Sequence, residues 1–541
     1  MINLIPMPLC VKEFKGGYSF DREAVTLFFD KELECISEIV PEILKIKTAE
    51  PQEAVDISFV YDSKAPKNAY SLSISDSGVK VYASDYEGAF YGLTTIRQLY
   101  KTDITDNKIL AASCVEIKND KPLYEWRGLH LDESRNFFGK ATVKKLLDFM
   151  SLYKLNRFHW HLTDDQGWRI EVKKYPLLTE IGSKRAGTQL HSWSGLDFDD
   201  TPCEGHYTQD DIKEIIAYAK KRCIEIIPEI DFPAHCASAI AGYNDLACRN
   251  IPCDVFEFCG WKLGEARGHK DCNRPLCIGK DETIAFATDV ISELADLFPF
   301  EYFHVGGDEA PRNEWKKCPA CQERIKKEKL KNETDLQGWF TNKLNACLKA
   351  KGKIMIGWNE VLASEIDRDI VAQYWTPGKD KNVNEHIKTG GKVILSNHKY
   401  FYFDMLYSYC TPKGTYNFNY KKSNVPEDYK DSVLGVEGEN WTEWTRTEKE
   451  LFFKIFNRGI ALAETAWSDE SVKDYSCFVK RMNSHKKLMD ALDIFYGSDD
   501  ITMQKAKFRK KLLSKKYGFS HNDNDSEYRL QEISGGLKLR K

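Results

Sequence analysis

Eight short apolar runs, each ending in a carboxylate, histidine, arginine or tryptophan, constrain this 541-residue chain more tightly than any other feature. They are WRGLHLD, RFHWHLTDD, IEIIPEID, YFHVGGDE, KIMIGWNE, IVAQYW, KVILSNHKYFYFD and VLGVEGENW, all after about Tyr124. Each has the length of a buried strand, and amphipathic helices lie between them. TQDDIKEIIAYAKKRC shows the helical pattern: Thr208 and Asp211 make a capping box, and Ile212, Ile215, Ile216 and Ala219 form one apolar face. Strands alternating with helices predict a parallel α/β architecture, and eight of them close a (β/α)8 barrel, the TIM-barrel class. Active sites of such barrels form at the C-terminal ends of the strands. A single carboxylate there often only caps the next helix. Polar ends on all eight strands together call for a shared purpose.

Residues 1–120 have another texture and predict a small α+β domain. In AVDISFVY, YSLSIS and GVKVYAS apolar and polar residues alternate, as Val55, Ile57 and Phe59 show, which is the period of half-buried strands. EGAFYGLTTIRQLY then puts Phe90, Leu93, Ile96 and Leu99 at helical spacing, so a helix should pack on that sheet. The expected organisation is a non-catalytic domain at 1–120, a catalytic barrel at 121–495 and a tail at 496–541 that is first basic, then Asn/Asp-rich.

Charge narrows the partners. With 78 basic and 82 acidic residues the formal net charge is -4, which gives no basis for nucleic acid or an anionic membrane. Aromatic residues make up 12%, including 12 Trp and 26 Tyr, and flat ligands such as sugar rings are one use for them. The opening MINLIPMPLCVKEFKGG lacks the charged start, apolar stretch and small-residue cleavage site of a secretory signal, so the expected location is cytoplasmic.

In a reducing compartment most of the 16 cysteines would be small buried hydrophobes. Two groups stand apart: Cys248, Cys253, Cys259, Cys272 and Cys277, then CPAC at Cys318 and Cys321. The CxxC pair could form half of a structural zinc site with two of the earlier cysteines, although the spacing matches no standard finger. Free thiols and disulfides are the other readings.

The stretch EYFHVGGDEAP carries the chemistry. Gly306 and Gly307 permit a tight turn that brings substrate close, and Asp308 and Glu309 follow at once. Adjacent residues leaving a strand point in different directions, so each acid can take its own part. A buried Glu309 could be a general acid while an ionised Asp308 orients or stabilises something positive. Two carboxylates among many aromatics suit glycoside hydrolysis; the plainer reading is an acidic pair at the start of the next helix.

FHVGGDE resembles the HxGGDE signature of the family 20 glycoside hydrolases, the β-N-acetylhexosaminidases. The resemblance extends in order through WRGLHLDESRNFF, FHWHLTDDQGWRIE, PEIDFPAH, GWNE, QYW, YFD, GVEGENWTE and ALAETAW, from about residue 124 to 470, and the first domain looks like the family's N-terminal module. It implies a retaining mechanism in which the substrate's own 2-acetamido oxygen is the nucleophile, with no cofactor. Asp308 would hold the acetamido N–H, and Glu309 would protonate the leaving oxygen and then deprotonate water. Arg135 matches the arginine that grips ring hydroxyls; Trp358, Trp375 and Trp441 match the aromatic box; Tyr402 matches the tyrosine bonding the acetamido oxygen. Asp404 and Glu443 match carboxylates that read hydroxyls, and Asp165 with His235 matches a pair supporting the general acid. The implied partners are oligosaccharides or glycoconjugates ending in N-acetylhexosamine, with release of one sugar or, as in related enzymes, a disaccharide. The insertions around Cys248–Cys277 and Asn417–Asp431 would shape the entrance.

Two other readings compete. His159, His161, Glu229, Asp231 and His235 could assemble a divalent-metal site of a barrel hydrolase or isomerase. A catalytically silent sugar-binding protein is the second, though it would have no need of a general acid.

Overall fold

The computed structural model describes residues 2–50, 55–102, 109–191, 193, 196–258, 275–376, 380–503 and 528–529. Both the basic stretch and the Asn/Asp-rich stretch expected in the tail lie outside the described residues.

The N-terminal part is a mixed eight-stranded sheet. Val11–Asp21 lies on one edge and pairs with Ile109–Asp120; then come Tyr70–Ser75, Gly78–Ala83, Ile57–Tyr61, Val25–Phe29 and Thr48–Ala49, with Lys101–Thr102 also on Ile109–Asp120. Period-two alternation decides which face is buried: Ile57 and Phe59, then Tyr70, Leu72 and Ile74, point inward. Helix Tyr86–Leu99 covers that face with Phe90, Leu93 and Ile96, and Asp85 caps it by accepting from the Gly88 N–H at 2.7 Å. Full burial of each such side chain stabilises by about 1.5–3 kcal/mol.

Behind it, Trp126–Asp132, Arg157–His161, Glu225–Glu229, Tyr302–His304, Ile354–Trp358, Val371–Tyr374, Val393–Leu395 and Val433–Gly438 form a closed barrel of parallel strands. The expected TIM-barrel class preceded by an α+β domain is therefore the observed one. Helix Gln209–Lys220 has the Thr208–Asp211 capping box and buries Ile212, Ile215, Ile216 and Ala219. The sheet domain is fastened at the N-terminal end of the barrel: Arg127, at the start of strand Trp126–Asp132, donates to the Tyr91 hydroxyl at 2.7 Å, and Trp467, the last residue of helix Glu448–Trp467, donates to Asp120 at 3.0 Å. It therefore sits away from the rim where the site lies.

The barrel interior is layered. Trp126, Ile227, Ile356, Val371 and Ile394 make an apolar plug at the lower end. Two residues further along several strands the inward positions turn polar, as Ile227 gives way to Glu229 and Val371 to Gln373. Two residues further again come Asp231 and Trp375, at the rim. Among the described residues no helix is long and apolar enough to cross a membrane.

Candidate active site

A cavity of about 610 Å³ opens at the C-terminal mouth of the barrel. Arg135, Asp165, His235, Asp308, Glu309, Trp358, Trp375, Tyr402, Asp404, Trp441 and Glu443 all line it, so every site residue expected from the sequence is brought to one place. Among the described residues, none of the sheet domain does.

The Asp308–Glu309 turn is held by contacts that only its glycines permit. Gly306 and Gly307 have φ of 66° and 96°, and a Cβ on Gly306 would lie 1.8 Å from Asp231 Oδ1. That carboxylate accepts the Gly307 N–H at 3.1 Å, while Gln337 donates to the Gly307 carbonyl at 2.7 Å. The glycines thus seat the turn on Asp231 and Val361. Glu309 itself has φ of 47°, a left-handed conformation costly for a side-chain-bearing residue and found where the surroundings impose it.

The two acids diverge. Asp308 is 13% exposed, with Oδ1 buried and no hydrogen-bond partner, and burial, reinforced by Glu360 and Glu309 against the opposing pull of His235, pushes its carboxyl up to about 7. Glu309 is 62% exposed, so the protein alone does not supply the enclosure expected around it. His235, also at positive φ, places Nε2 3.7 Å from Asp308 and 3.9 Å from Glu309. Its Nδ1 lies 3.2 Å from Asp164 but 3.9 Å from Asp165. The nearer support is therefore Asp164, next to the expected Asp165, whose Oδ1 accepts the Ala237 N–H at 2.9 Å. Burial opposes a charge on His235, but Asp164 outweighs it and holds the imidazole well above its usual range. Asp165 is lifted to about 6 by burial and by the Asp164 charge.

Arg135 is clamped before any ligand arrives. Its guanidinium meets Gln166 at 2.8 Å, Asp132 at 3.2 Å and Asp164 at 2.6 Å, and stacks 5.1 Å above the Trp441 ring. Opposite, Trp358 donates to Glu229 at 2.7 Å and lies 5.8 Å from Trp441, and Trp375 donates to Glu360 at 3.0 Å and stacks on Tyr402. Asp404 has a buried Oδ1 with no hydrogen-bond partner; burial and the Glu443 charge raise it to about 7.

Beneath this floor lies a layer of buried charge. Glu229 takes His161 at 2.5 Å, His304 at 3.0 Å and His159 at 3.1 Å; His159 also bonds Glu437 at 2.7 Å. Glu437 and Glu229 outweigh burial and raise His159 to about 10. Of the ligand set considered for a metal hydrolase, only His235 lines the cavity.

The sequence reading missed Trp193, Phe256 and Phe258, which form one wall. Phe256 donates its N–H to the Asp165 carbonyl at 3.1 Å, and Gln166 donates to the Phe258 carbonyl at 2.9 Å. These residues lie in irregular segments without periodicity, so only clustered aromatics in a loop could have hinted at them. Of the two insertions expected at the entrance, the first supplies Phe256 and Phe258. Asn417–Asp431 contributes nothing to the lining; Phe418 and Val425 turn it into the barrel core.

The family model for the glycosyl hydrolase family 20 catalytic domain matches residues 124–470, and that for domain 2 of the family matches residues 1–118. The chain belongs to glycoside hydrolase family 20. A β-hexosaminidase of Porphyromonas gingivalis is 32% identical over 520 residues, covering 92% of this chain and 64% of that relative. The chain therefore spans just under two thirds of that protein's length. Among solved family 20 structures, an exo-β-N-acetylglucosaminidase of Vibrio harveyi in complex with N-acetylglucosamine superposes with a TM-score of 0.80 at 27% identity, covering 92% of this chain and 78% of that one. A β-N-acetylhexosaminidase of Bacteroides fragilis gives 0.78 at 28% identity, covering 91% and 96%.

Proposed function

We propose that this family 20 protein is an exo-acting β-N-acetylhexosaminidase. It would remove terminal N-acetylglucosamine or N-acetylgalactosamine from oligosaccharides or glycoconjugates with retention of configuration. The observation that carries this reading is the divergent Asp308–Glu309 pair at the mouth of a tryptophan-walled cavity, with one buried oxygen of Asp308 lacking a hydrogen-bond partner. The acetamido N–H of a bound sugar would satisfy that oxygen. Ionised Asp308 then turns the acetamido carbonyl toward the anomeric carbon and offsets the positive charge that develops as the oxazolinium ring forms.

Glu309, enclosed once a sugar lies against Trp441, donates its proton to the departing glycosidic oxygen and takes one back from the water that opens the ring. Tyr402 bonds the acetamido oxygen, while Trp358, Trp375 and Trp441 pack its methyl group and the sugar face. Arg135, Asp404 and Glu443 read the hydroxyls. The N-acetylglucosamine held by the Vibrio harveyi relative supports this substrate class.

Hydrolysis of matched aryl β-glycosides tests the reading. N-acetylglucosaminide or N-acetylgalactosaminide should be cleaved and the plain glucoside barely touched. Equal rates on all three would mean that the nucleophile belongs to the protein. Preferential cleavage of aryl disaccharides would select the disaccharide-releasing alternative.

A further inference from the structure

Four cysteines that the proposed chemistry does not use converge behind the cavity wall. Cys248 Sγ lies 3.9 Å from Cys321 Sγ, and Cys277 Sγ lies 3.6 Å from Cys318 and 3.7 Å from Cys321. All four sulfurs fall within 4.8 Å of one another, and none of the four cysteines is in a disulfide. A disulfide would need sulfurs at about 2 Å. A zinc ion with bonds of about 2.3 Å to four sulfurs at tetrahedral corners sets them about 3.8 Å apart, which matches the 3.6, 3.7 and 3.9 Å of these three pairs.

We propose that Cys248, Cys277, Cys318 and Cys321 bind a zinc ion as a tetrathiolate that staples together two of the loops that build the active site. The sulfurs come from three chain segments already locked together without metal. The Cys277 N–H bonds the Leu246 carbonyl at 2.7 Å beside the Ala247–Leu276 bridge, and Trp315 donates to the Leu276 carbonyl at 2.9 Å. Cys318 and Cys321 occupy the N-cap and first turn of helix Pro319–Lys327, where three-residue spacing puts both sulfurs on one face and the helix end favours thiolates. Gly279 packs straight onto this turn: a Cβ there would lie 2.3 Å from the Cys321 nitrogen. Cys277 and Cys321 are fully buried, so bulk solvent does not compete for the ion.

The site has a purpose in the fold. The chain between Cys248 and Cys277 carries Phe256 and Phe258 to the cavity wall, while Cys318 follows shortly after Glu309 and Pro311, in the loop after the neighbouring barrel strand. Closing that stretch of chain at its base removes conformational freedom that hydrogen bonds alone would have to overcome. The metal is scaffold and takes no part in bond cleavage, so the assignment stands whether or not the hexosaminidase reading does.

The test is elemental analysis of the full chain purified under reducing conditions, followed by exchange with cobalt(II) alone. Equimolar zinc is expected, with thiolate-to-cobalt charge transfer and the intense visible bands of a tetrahedral tetrathiolate. Cys321→Ser should retain about tenfold less zinc or worse, melt several degrees lower and raise KM more than it lowers kcat, whereas Cys10→Ser keeps its zinc. Absence of both zinc and the cobalt bands, iron in place of zinc, thiols found oxidised in pairs, or equal zinc loss from Cys10→Ser would each overturn the assignment.

Discussion

His235 and Asp308 are neighbours on the barrel rim, after adjacent strands, with Nε2 3.7 Å from Oδ2. The imidazole is charged through Asp164, yet it does not cancel the burial of Asp308, whose carboxyl still sits at about 7. Binding an N–H of substrate needs the ionised form. The kcat/KM of the free protein should therefore fall as pH drops below about 7, and replacing His235 by Phe should move that limb to higher pH. A pH–rate profile checks this, and an unmoved limb would show that His235 does not act on Asp308.

The same raised carboxyl opposes stability. Asp308 binds its proton more tightly folded than unfolded, so its contribution is fully present below the ordinary aspartate range and is lost as pH rises through about 7. Asp308→Asn should melt at higher temperature than the parent at pH 8, with little difference at pH 4, while turnover collapses. Thermal unfolding at the two pH values measures it, and this is the trade expected where a site is built for chemistry.

Glu309→Gln should lose about 10²–10⁴-fold in kcat on alkyl or sugar leaving groups, with ligand affinity kept. The loss should shrink steadily as the leaving group becomes more acidic and needs less protonation. An equal loss across a leaving-group series would argue against proton donation by Glu309.

Arg135→Lys keeps the charge but not the fork that meets Gln166, Asp132 and Asp164. Losing such charge-assisted bonds costs about 1.5–3 kcal/mol each, so KM should rise about tenfold or more. Steady-state kinetics on an aryl N-acetylglucosaminide decides it.

Phe256→Ala removes wall without touching the carboxylates. It should leave kcat on small aryl glycosides within about twofold, the range of a change outside the reacting atoms, while raising KM for oligosaccharides. Matched kinetics on chitotriose and an aryl monosaccharide separate the two.

Local pattern was enough for much of this protein. Short apolar runs mark the eight barrel strands, which are buried on both faces. Strand and helix periods mark the N-terminal sheet and the helix that Thr208 caps, because burial on one face repeats every two or 3.6 residues whatever the partner. The ordered motifs around Asp308 and Glu309 placed eleven residues that the barrel does bring to one cavity. Contacts between distant segments leave no such periodic mark. That Gly306 and Gly307 yield to Asp231 and Val361, that His235 leans on Asp164 rather than Asp165, that Glu309 stands exposed, and that an aperiodic loop supplies Phe256 were all decided by tertiary structure. So was the meeting of Cys248 and Cys277 with CPAC, whose spacing follows no standard finger because barrel and loop, not local sequence, set the distance between the ligands.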